Sequence, residues 1–170
     1  GAMIGTLGIG RPPIGADLPG EAALAPILST GMTTPDPVLL QRMLRRFVDD
    51  GLRACVVEAS SIGIEEHRLA GTQLRVAVFT NFTQDHLDYH GTLAAYGEAK
   101  QRLFTQAGLH TAIINADDPY APNIRSAVAP RLMANVMMAN AIRYRKKTDS
   151  GMVGAMGWIA TVAPPIRQSA

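Results

Sequence analysis

The chain has 170 residues, of which 47% are hydrophobic, and its mean hydropathy of +0.08 predicts one folded domain and excludes a disordered chain. Its 16 basic and 14 acidic residues are too balanced to indicate a nucleic-acid partner. No apolar run is long enough to cross a bilayer and no signal peptide opens the chain, so we predict a cytoplasmic protein without a membrane partner.

The first third of the chain predicts one strand, a long loop and one helix. Residues 1–3 resemble the remnant of a purification tag, and we leave them out of the predicted domain. Residues 4–35 are rich in Gly, Pro and Thr, which predicts a short strand followed by a loop. Asp36 and Pro37 then predict a helix N-cap and first helical residue, because apolar residues recur at helical spacing as far as Gly51.

Three short apolar runs follow, at 54–58, 76–80 and 111–115. Their β-branched composition is typical of parallel strands that are buried on both faces. Between the last two runs, Thr92 as N-cap and Gly108 just past the end delimit a helix. The alternation of strand and helix predicts an α/β fold with an open, mostly parallel sheet flanked by helices.

The pattern weakens toward the end of the chain. A further helix is predicted over about 120–128. The segments 141–146 and 158–162 predict either a β-hairpin, and so a small antiparallel piece, or a frayed tail. We therefore divide the chain into a domain at 4–135 and a divergent C-terminal segment at 136–170.

Polar side chains follow two neighbouring predicted strands, where ligands of open α/β sheets bind. Carboxylates and imidazoles at one sheet edge are ligands that a divalent metal accepts, and Mg²⁺ takes only one or two of them. The four-residue spacing of His86 and His90 also fits two zinc ligands, but no third ligand has a recognised spacing. Taken singly, each histidine is better explained as a structural or solvent-exposed residue than as a metal ligand. The polar residues concerned are Glu58, Ser60, Ser61, Asp85, His86, Asp88 and His90.

Lys100 lies on the apolar stripe of its predicted helix, together with Leu93, Tyr96, Leu103 and Phe104. Its stem is therefore expected to face inward. A lysine in that position usually extends its amine to the rim of the core. The alternative is an amine kept neutral by burial, or one that is chemically changed into a metal ligand.

Three other features are explained by local structure when they are taken singly. Asn115 and Asp118 at the end of the third strand fit a strand exit and helix cap. Residues 33–37 fit a turn that leads into the first helix. Cys55, the single cysteine, lies in an apolar run and fits a residue that fills the core.

Taken together and in this order, these segments resemble the central domain of the Mur ligases of peptidoglycan synthesis, and within that family the MurE group. The resemblance extends over about 4–121. It rests on Ile4-Gly5-Thr6-Leu7-Gly8, Thr33-Thr34-Pro35-Asp36-Pro37, Glu58-Ala59-Ser60-Ser61, Asp85-His86-Leu87-Asp88-Tyr89-His90, Ala99-Lys100 and Asn115-Ala116-Asp117-Asp118.

The resemblance implies an ATP-dependent amide ligase that works in cell-wall synthesis and cell division. In that family the ATP γ-phosphate passes to the carboxylate of a UDP-muramoyl peptide, and an incoming amino acid attacks the acyl phosphate. By resemblance, Mg²⁺ is held by Glu58, His86 and a carbamylated Lys100, which is also the catalytic candidate. The substrate is bound by Thr33, Thr34, Ser60 and Arg68, and the adenine end of ATP by Asn115 and Asp118.

Two departures from the family pattern change the expected activity. The 170 residues contain no G-x-x-x-x-G-K-[ST] motif, so we expect the first strand and its ATP phosphate loop to be missing. Ile62 and Glu66 stand where MurE-like sequences usually have histidine and glutamine. We therefore expect a truncated relative or fragment that is inactive alone. The alternative is a non-catalytic assembly module that binds itself or a partner through sheet surface exposed by the truncation.

Overall fold

The computed structural model describes residues 1–11, 28–139 and 158–162. Within these residues a seven-stranded sheet is flanked by five α-helices. The strands are β1 (Ala2–Gly5), β2 (Gly8–Gly10), β3 (Cys55–Ala59), β4 (Val76–Phe79), β5 (Thr111–Asn115), β6 (Val136–Ala139) and β7 (Trp158–Val162). The helices are α1 (Pro37–Asp49), α2 (Ser61–Glu65), α3 (Leu87–His90), α4 (Leu93–Gln101) and α5 (Ala121–Ala127).

The strands follow the order β2-β1-β3-β7-β4-β5-β6 across the sheet. The pairs β1–β3, β4–β5 and β5–β6 are parallel, as the alternation of strand and helix predicts. The pairs β1–β2, β3–β7 and β4–β7 are antiparallel. The α/β fold with flanking helices is therefore confirmed, but the sheet is mixed, with antiparallel pairing at its centre as well as near one edge.

The C-terminal strand is the largest departure from the predicted topology. The run 158–162 is a strand as predicted, but it does not belong to a peripheral hairpin. It lies between β3 and β4 and is antiparallel to both. Its predicted hairpin partner, 141–146, lies outside the described residues. In addition β6, at 136–139, pairs with β5 and extends the sheet beyond the predicted domain end at 135.

The predicted helix starts are confirmed by their capping contacts. The Asp36 carboxylate accepts the backbone N–H groups of Val38 and Leu39, both at 3.0 Å, and Pro37 is the first residue of α1. The Thr92 hydroxyl accepts the N–H of Ala95 at 3.1 Å at the start of α4. α4 ends at Gln101 and continues as a 3₁₀ turn over Arg102–Thr105, so the α-helix is shorter than predicted.

The amino-terminal residues are part of the sheet. Residues 1–3 lie outside the predicted domain, yet Ala2 and Met3 begin β1, and the N–H of Ala2 donates to the Ala54 carbonyl at 2.9 Å. Two strands, β1 and β2, replace the single predicted strand. Both strands are too short to show the two-residue alternation of a strand, and their composition is typical of a loop.

The core lies between the sheet and its helices. Cys55, Val57 and Ala59 of β3 are buried and Val56 between them is 37% exposed, and β4 and β5 alternate in the same way. The prediction that these strands are buried on both faces is wrong, because their second face is only partly covered. The buried, free Cys55 is confirmed as a core residue. None of the helices in the described ranges is long and apolar enough to span a membrane.

Candidate functional site

The end of β3 is tied to the loop before α1 through one buried hydroxyl. Thr34 is fully buried, and its Oγ1 accepts the backbone N–H of Ser60 at 2.9 Å and donates to the Glu58 carbonyl at 2.8 Å. Ser60 in turn caps α2, since its Oγ accepts the N–H of Gly63 at 3.0 Å. The hydroxyls of Thr34 and Ser60 therefore fix the shape of this edge of the sheet.

The Glu58 carboxylate faces the turn after β1. Its Oε2 accepts the backbone N–H of Thr6 at 2.7 Å and the Thr6 hydroxyl at 2.9 Å. The Thr6 hydroxyl also lies 2.9 Å from the hydroxyl of Thr33. Two hydrogen bonds to one oxygen orient the carboxylate at the carboxyl end of β3.

Arg68 completes this group of residues. Its Nη1 donates to the Thr34 carbonyl at 2.8 Å, and its Nη2 pairs with Oε2 of Glu66 at 2.5 Å. The structure thus brings the four predicted substrate residues, Thr33, Thr34, Ser60 and Arg68, into one connected network beside Glu58. Glu66, at a position that differs from the usual family residue, helps to hold the guanidinium.

The loop after β4 carries the two histidines. His86 has a left-handed backbone with φ of 53°, and its N–H donates to Oδ1 of Asp85 at 2.8 Å. His90, at the end of α3, contacts the start of the helix that follows β3: its Nε2 lies 3.0 Å from Oγ of the buried Ser61 in α2. Burial lowers the pKa of His90, while Glu65 acts in the opposite direction. The polar groups that follow β3 and β4 therefore meet at one edge, as the sequence predicts.

Lys100 is the deepest charged group of this edge. Its side chain is 3% exposed, which confirms the inward orientation and excludes an amine that extends to the rim. The Nζ atom lies 4.5 Å from the ring centroid of Tyr96. Burial lowers the pKa of the amine to about 7, against the attraction of Asp85 and Asp118. At neutral pH a large share of Lys100 is therefore an uncharged, nucleophilic amine.

Asn115 and Asp118 join the end of β5 to the end of β4. Asn115 Nδ2 donates to the Thr80 carbonyl at 2.7 Å. The Asp118 carboxylate accepts the N–H of Phe82 at Oδ2 and that of Tyr120 at Oδ1, both at 2.8 Å. These contacts hold the loop after β4 in place. An adenine-binding role for either residue stays a prediction.

An aromatic stack beneath that loop was not identified from the sequence. The Phe82 ring lies 3.9 Å from that of Tyr120 and 5.0 Å from that of Tyr96, measured between centroids. Tyr120 fits against α4 only because residue 97 is glycine: a Cβ there would lie 2.1 Å from the Tyr120 hydroxyl oxygen. Phe82 lies in a predicted loop and gives no periodic signal. In the sequence, Gly97 is only a residue that weakens a helix, because nothing there indicates that Tyr120 packs beside it.

The donors present here fit a magnesium ion better than a zinc ion. Within the described ranges, no group of three or more His, Cys, Asp or Glu side chains is placed to hold a metal. His86 lies at the start of α3 and His90 contacts Ser61, so the two do not form a zinc pair with a third ligand. Mg²⁺ needs only one or two protein ligands beside water and phosphate. The buried Thr80 hydroxyl, which has no hydrogen-bond partner among the described residues, leaves an unsatisfied polar atom at the same edge.

Comparison with known proteins decides the family. A family model described as the Mur ligase middle domain matches residues 1–149. The chain belongs to the Mur ligase family. The match begins at the first residue, so it includes residues 1–3, which lie outside the predicted domain, and it continues beyond 135.

Named Mur ligases are similar over most of the chain. A UDP-N-acetylmuramoyl-L-alanyl-D-glutamate–2,6-diaminopimelate ligase of Acidovorax sp. (strain JS42) is 55% identical over 118 residues, which are 69% of this chain and 21% of that protein. A ligase of the same name from Xanthomonas campestris pv. campestris (strain 8004) is 42% identical over 131 residues, 77% of this chain and 24% of that protein.

A solved structure of a ligase with that name superposes with a TM-score of 0.64 at 36% identity, and the match covers 82% of this chain and 25% of the other. This Mur ligase chain therefore spans about a fifth to a quarter of the length of the curated relatives that it matches. The expected resemblance to the MurE group is confirmed.

Proposed function

We propose that these 170 residues are part of an ATP-dependent ligase that extends a UDP-muramoyl peptide by one amino acid, and that they carry a metal and substrate surface without ligating alone. The family match over residues 1–149, together with the edge that unites the ends of β3, β4 and β5, carries this proposal. The relatives are named for the addition of 2,6-diaminopimelate to UDP-N-acetylmuramoyl-L-alanyl-D-glutamate, and that pair is our proposed substrate class. A cytoplasmic location of the whole protein is part of the proposal.

The substrate peptide would bind beside the network of Thr33, Ser60 and Arg68. The guanidinium of Arg68 is suited to a carboxylate or phosphate of the substrate because it presents a planar fork of donors. Thr34 is fully buried and its hydroxyl already contacts Glu58 and Ser60. We therefore assign Thr34 to shaping the network, through its backbone and hydroxyl, rather than to direct contact with the substrate.

Lys100 is proposed to be carbamylated. The neutral Nζ attacks the carbon of CO₂, an N–C bond forms, one C=O π pair becomes a carboxylate oxygen, and one amine proton leaves to solvent. The buried amine supports this step because its pKa of about 7 keeps it unprotonated often enough to react. The product is an anion near Asp85 and Asp118, so a cation is required to balance the charge.

Glu58, His86 and the carbamate of Lys100 would hold Mg²⁺ together with water and ATP phosphate, and Asn115 with Asp118 would face the adenine end of the nucleotide. When bound, Mg²⁺ neutralises charge on transferring phosphate. This chain's contribution is to orient those donors: Thr6 fixes the Glu58 carboxylate, and Asp85 fixes the backbone of His86. The residues needed to cradle a triphosphate are not encoded in the 170 residues, because they contain no G-x-x-x-x-G-K-[ST] motif.

Two measurements on the 170-residue chain test this proposal. With ATP, Mg²⁺, UDP-N-acetylmuramoyl-L-alanyl-D-glutamate and 2,6-diaminopimelate, we expect phosphate release no faster than the protein-free blank. A turnover of about 1 s⁻¹ or more, which is ordinary for an enzyme, would overturn the claim that the chain does not ligate alone. Calorimetric binding of the UDP-muramoyl dipeptide should be weakened by Arg68→Gln and unchanged by Arg42→Gln on the exposed surface of α1. Equal affinities of these two variants would remove Arg68 from the site.

A second candidate function is self-association through the edge strand β6. Met137 and Met138 on this strand are 58% and 46% exposed, and methionine is common on adaptable binding surfaces. Light scattering at rising protein concentration tests it, with Met137→Lys/Met138→Lys as the variant that should reduce association. A mass equal to one chain at every concentration counts against this candidate.

A further inference from the structure

The two halves of the proposed site are separated by a single strand. Glu58 and Ser60 lie at the end of β3, whereas Thr80 follows β4 and begins the loop that carries His86. β3 and β4 are not hydrogen-bonded to each other, because β7 lies between them. Their axes are therefore about 10 Å apart, two strand spacings.

Both walls of this position belong to the core of the sheet. Val57 and Ala59 of β3 and Ala77 and Phe79 of β4 are fully buried. Without a strand between them, each wall would present unpaired backbone N–H and C=O groups in the middle of the domain, which is costly away from water. We call the space between β3 and β4 the strand slot.

β7 fills the strand slot along its length. Its five residues pair in register with β3 from Cys55 opposite Val162 to Ala59 opposite Trp158, and with β4 from Val76 to Val78. It is antiparallel to both walls, whereas β4 pairs in parallel with its other neighbour, β5. The first residue of β7 therefore lies at the edge where Glu58 and the loop after β4 meet.

The chain reaches the slot from the far side of the sheet. β6 ends at Ala139 and β7 begins at Trp158, so 18 residues, 140–157, connect them. The two strands are separated by β4 and β5, about 15 Å across three strand spacings. Eighteen residues can extend to about 60 Å, so the connection does not dictate which slot the strand enters.

We propose that the strand slot is a peptide-binding site that this chain fills with its own residues 158–162, and that the same extended segment binds there when it is supplied as a separate molecule. The partner class is an apolar strand that runs antiparallel to β3 and β4, here Trp-Ile-Ala-Thr-Val. A connection of this length keeps the chain's own strand at an effective concentration of the order of millimolar, so the internal strand occupies the slot at ordinary protein concentrations. This inference does not depend on the ligase proposal.

The first test uses the single cysteine of the chain. Val162→Cys places a second cysteine opposite Cys55 in the antiparallel register, where the Cα separation suits a disulfide. Burial raises the pKa of Cys55 to about 12, so the protein is refolded in a glutathione redox buffer rather than oxidised when folded. Thr161→Cys is the matched control, because residue 161 pairs with Val56 and not with Cys55.

At low micromolar concentration, we expect an intramolecular disulfide in nearly all of the Val162→Cys chain and in little of the Thr161→Cys chain, resolved by non-reducing electrophoresis and peptide mapping. Equal yields in the two variants would overturn the register. A disulfide-linked dimer of Val162→Cys would show that the slot takes the strand of a second copy, and would overturn the assignment to the chain's own strand.

The second test asks whether the strand can be supplied separately. Ala160 lies opposite Val57 in β3 and Ala77 in β4, so Ala160→Pro removes an N–H from one ladder and disrupts both. A synthetic peptide of residues 156–163 should restore the thermal midpoint of this variant, by an amount that rises with the logarithm of peptide concentration. The same peptide with proline at position 160 is the control. The proposal would be overturned if the two peptides had the same effect on the thermal midpoint of the Ala160→Pro chain. It would also be overturned if that chain were as stable as the parent.

Discussion

Lys100→Met is expected to stabilise the chain, and to do so in a pH-dependent way. Burial lowers the pKa of the amine from an ordinary value of 10.5 to about 7. Each pH unit between these values is worth about 1.4 kcal/mol, so the protonated amine costs the fold about 5 kcal/mol at pH 6. The substitution also loses the contact between the amine and the Tyr96 ring, which offsets about 1–2 kcal/mol of the stability gained by removing the charge. We therefore expect a net gain of about 3 kcal/mol in the free energy of unfolding at pH 6.

The sign follows from proton binding. Between pH 7 and 10.5 the unfolded chain still protonates Lys100 while the folded chain does not, so the stability of the parent protein rises with pH in this window. Below pH 7 both states are protonated and the penalty is constant. Methionine has no titration and a similar length. The advantage of Lys100→Met is therefore greatest below pH 7 and falls by about 1.4 kcal/mol per pH unit above it.

Urea unfolding of parent and variant from pH 6 to pH 10 measures this difference. The buffers are depleted of CO₂, because a carbamate on Lys100 would remove the charge that the experiment examines. Arg42→Met, which removes an exposed cation from α1, is the control, and its effect should be small and the same at every pH. A constant difference between Lys100→Met and the parent over this range would refute the argument from burial.

Three further substitutions, each paired with a control substitution, test other parts of the structure by denaturant unfolding. Gly97→Ala should lower the free energy of unfolding by about 1–3 kcal/mol, because the new Cβ would overlap the Tyr120 hydroxyl, and this cost exceeds the gain in helix propensity. In the control Gly108→Ala the new Cβ makes only ordinary contacts, so the free energy of unfolding should change by less than about 1 kcal/mol. Thr34→Val should cost about 1–3 kcal/mol of stability, because it leaves the buried N–H of Ser60 without its acceptor. Thr34→Ser keeps the hydroxyl and should recover most of that loss, so equal losses in the two variants would contradict the role of this hydrogen bond. Asp36→Ala should cost about 1 kcal/mol and Asp36→Asn less, and a neutral Asp36→Ala would contradict the cap.

Features that depend on neighbouring residues were predicted well from the sequence. Asp36 and Thr92 cap their helices because a cap is decided within three residues of the helix start. The strand at 111–115 matches its predicted range. The inward orientation of Lys100 followed from helical period alone.

Features that depend on distant pairing were not predicted. The segment 158–162 carries a strand signal, but nothing in its composition states that its partners are β3 and β4. When two strands are about 100 residues apart in the sequence, whether they pair depends on which strand edges the rest of the sheet leaves unpaired. The same limit applies to the site. His90 and Ser61 are in contact but lie 29 residues apart, so no sequence periodicity predicts their contact.

The role of Lys100 combines both kinds of information. Its position on an apolar stripe predicted burial, and the family resemblance implied a carbamate. The pKa of about 7 required the actual surroundings, because burial lowers it while the nearby Asp85 and Asp118 act in the opposite direction. The carbamate itself remains part of the proposed function.

The most direct test of the account is the detection of that carbamate. The 170-residue chain is equilibrated with ¹³C-labelled bicarbonate at pH 8, with and without Mg²⁺, and examined by ¹³C NMR, with Lys100→Arg as the matched control. We predict one carbamate resonance in the parent chain that strengthens with Mg²⁺ and is absent from Lys100→Arg. An unmodified parent chain at saturating bicarbonate and Mg²⁺, or a carbamate resonance of equal intensity in Lys100→Arg, would contradict the account.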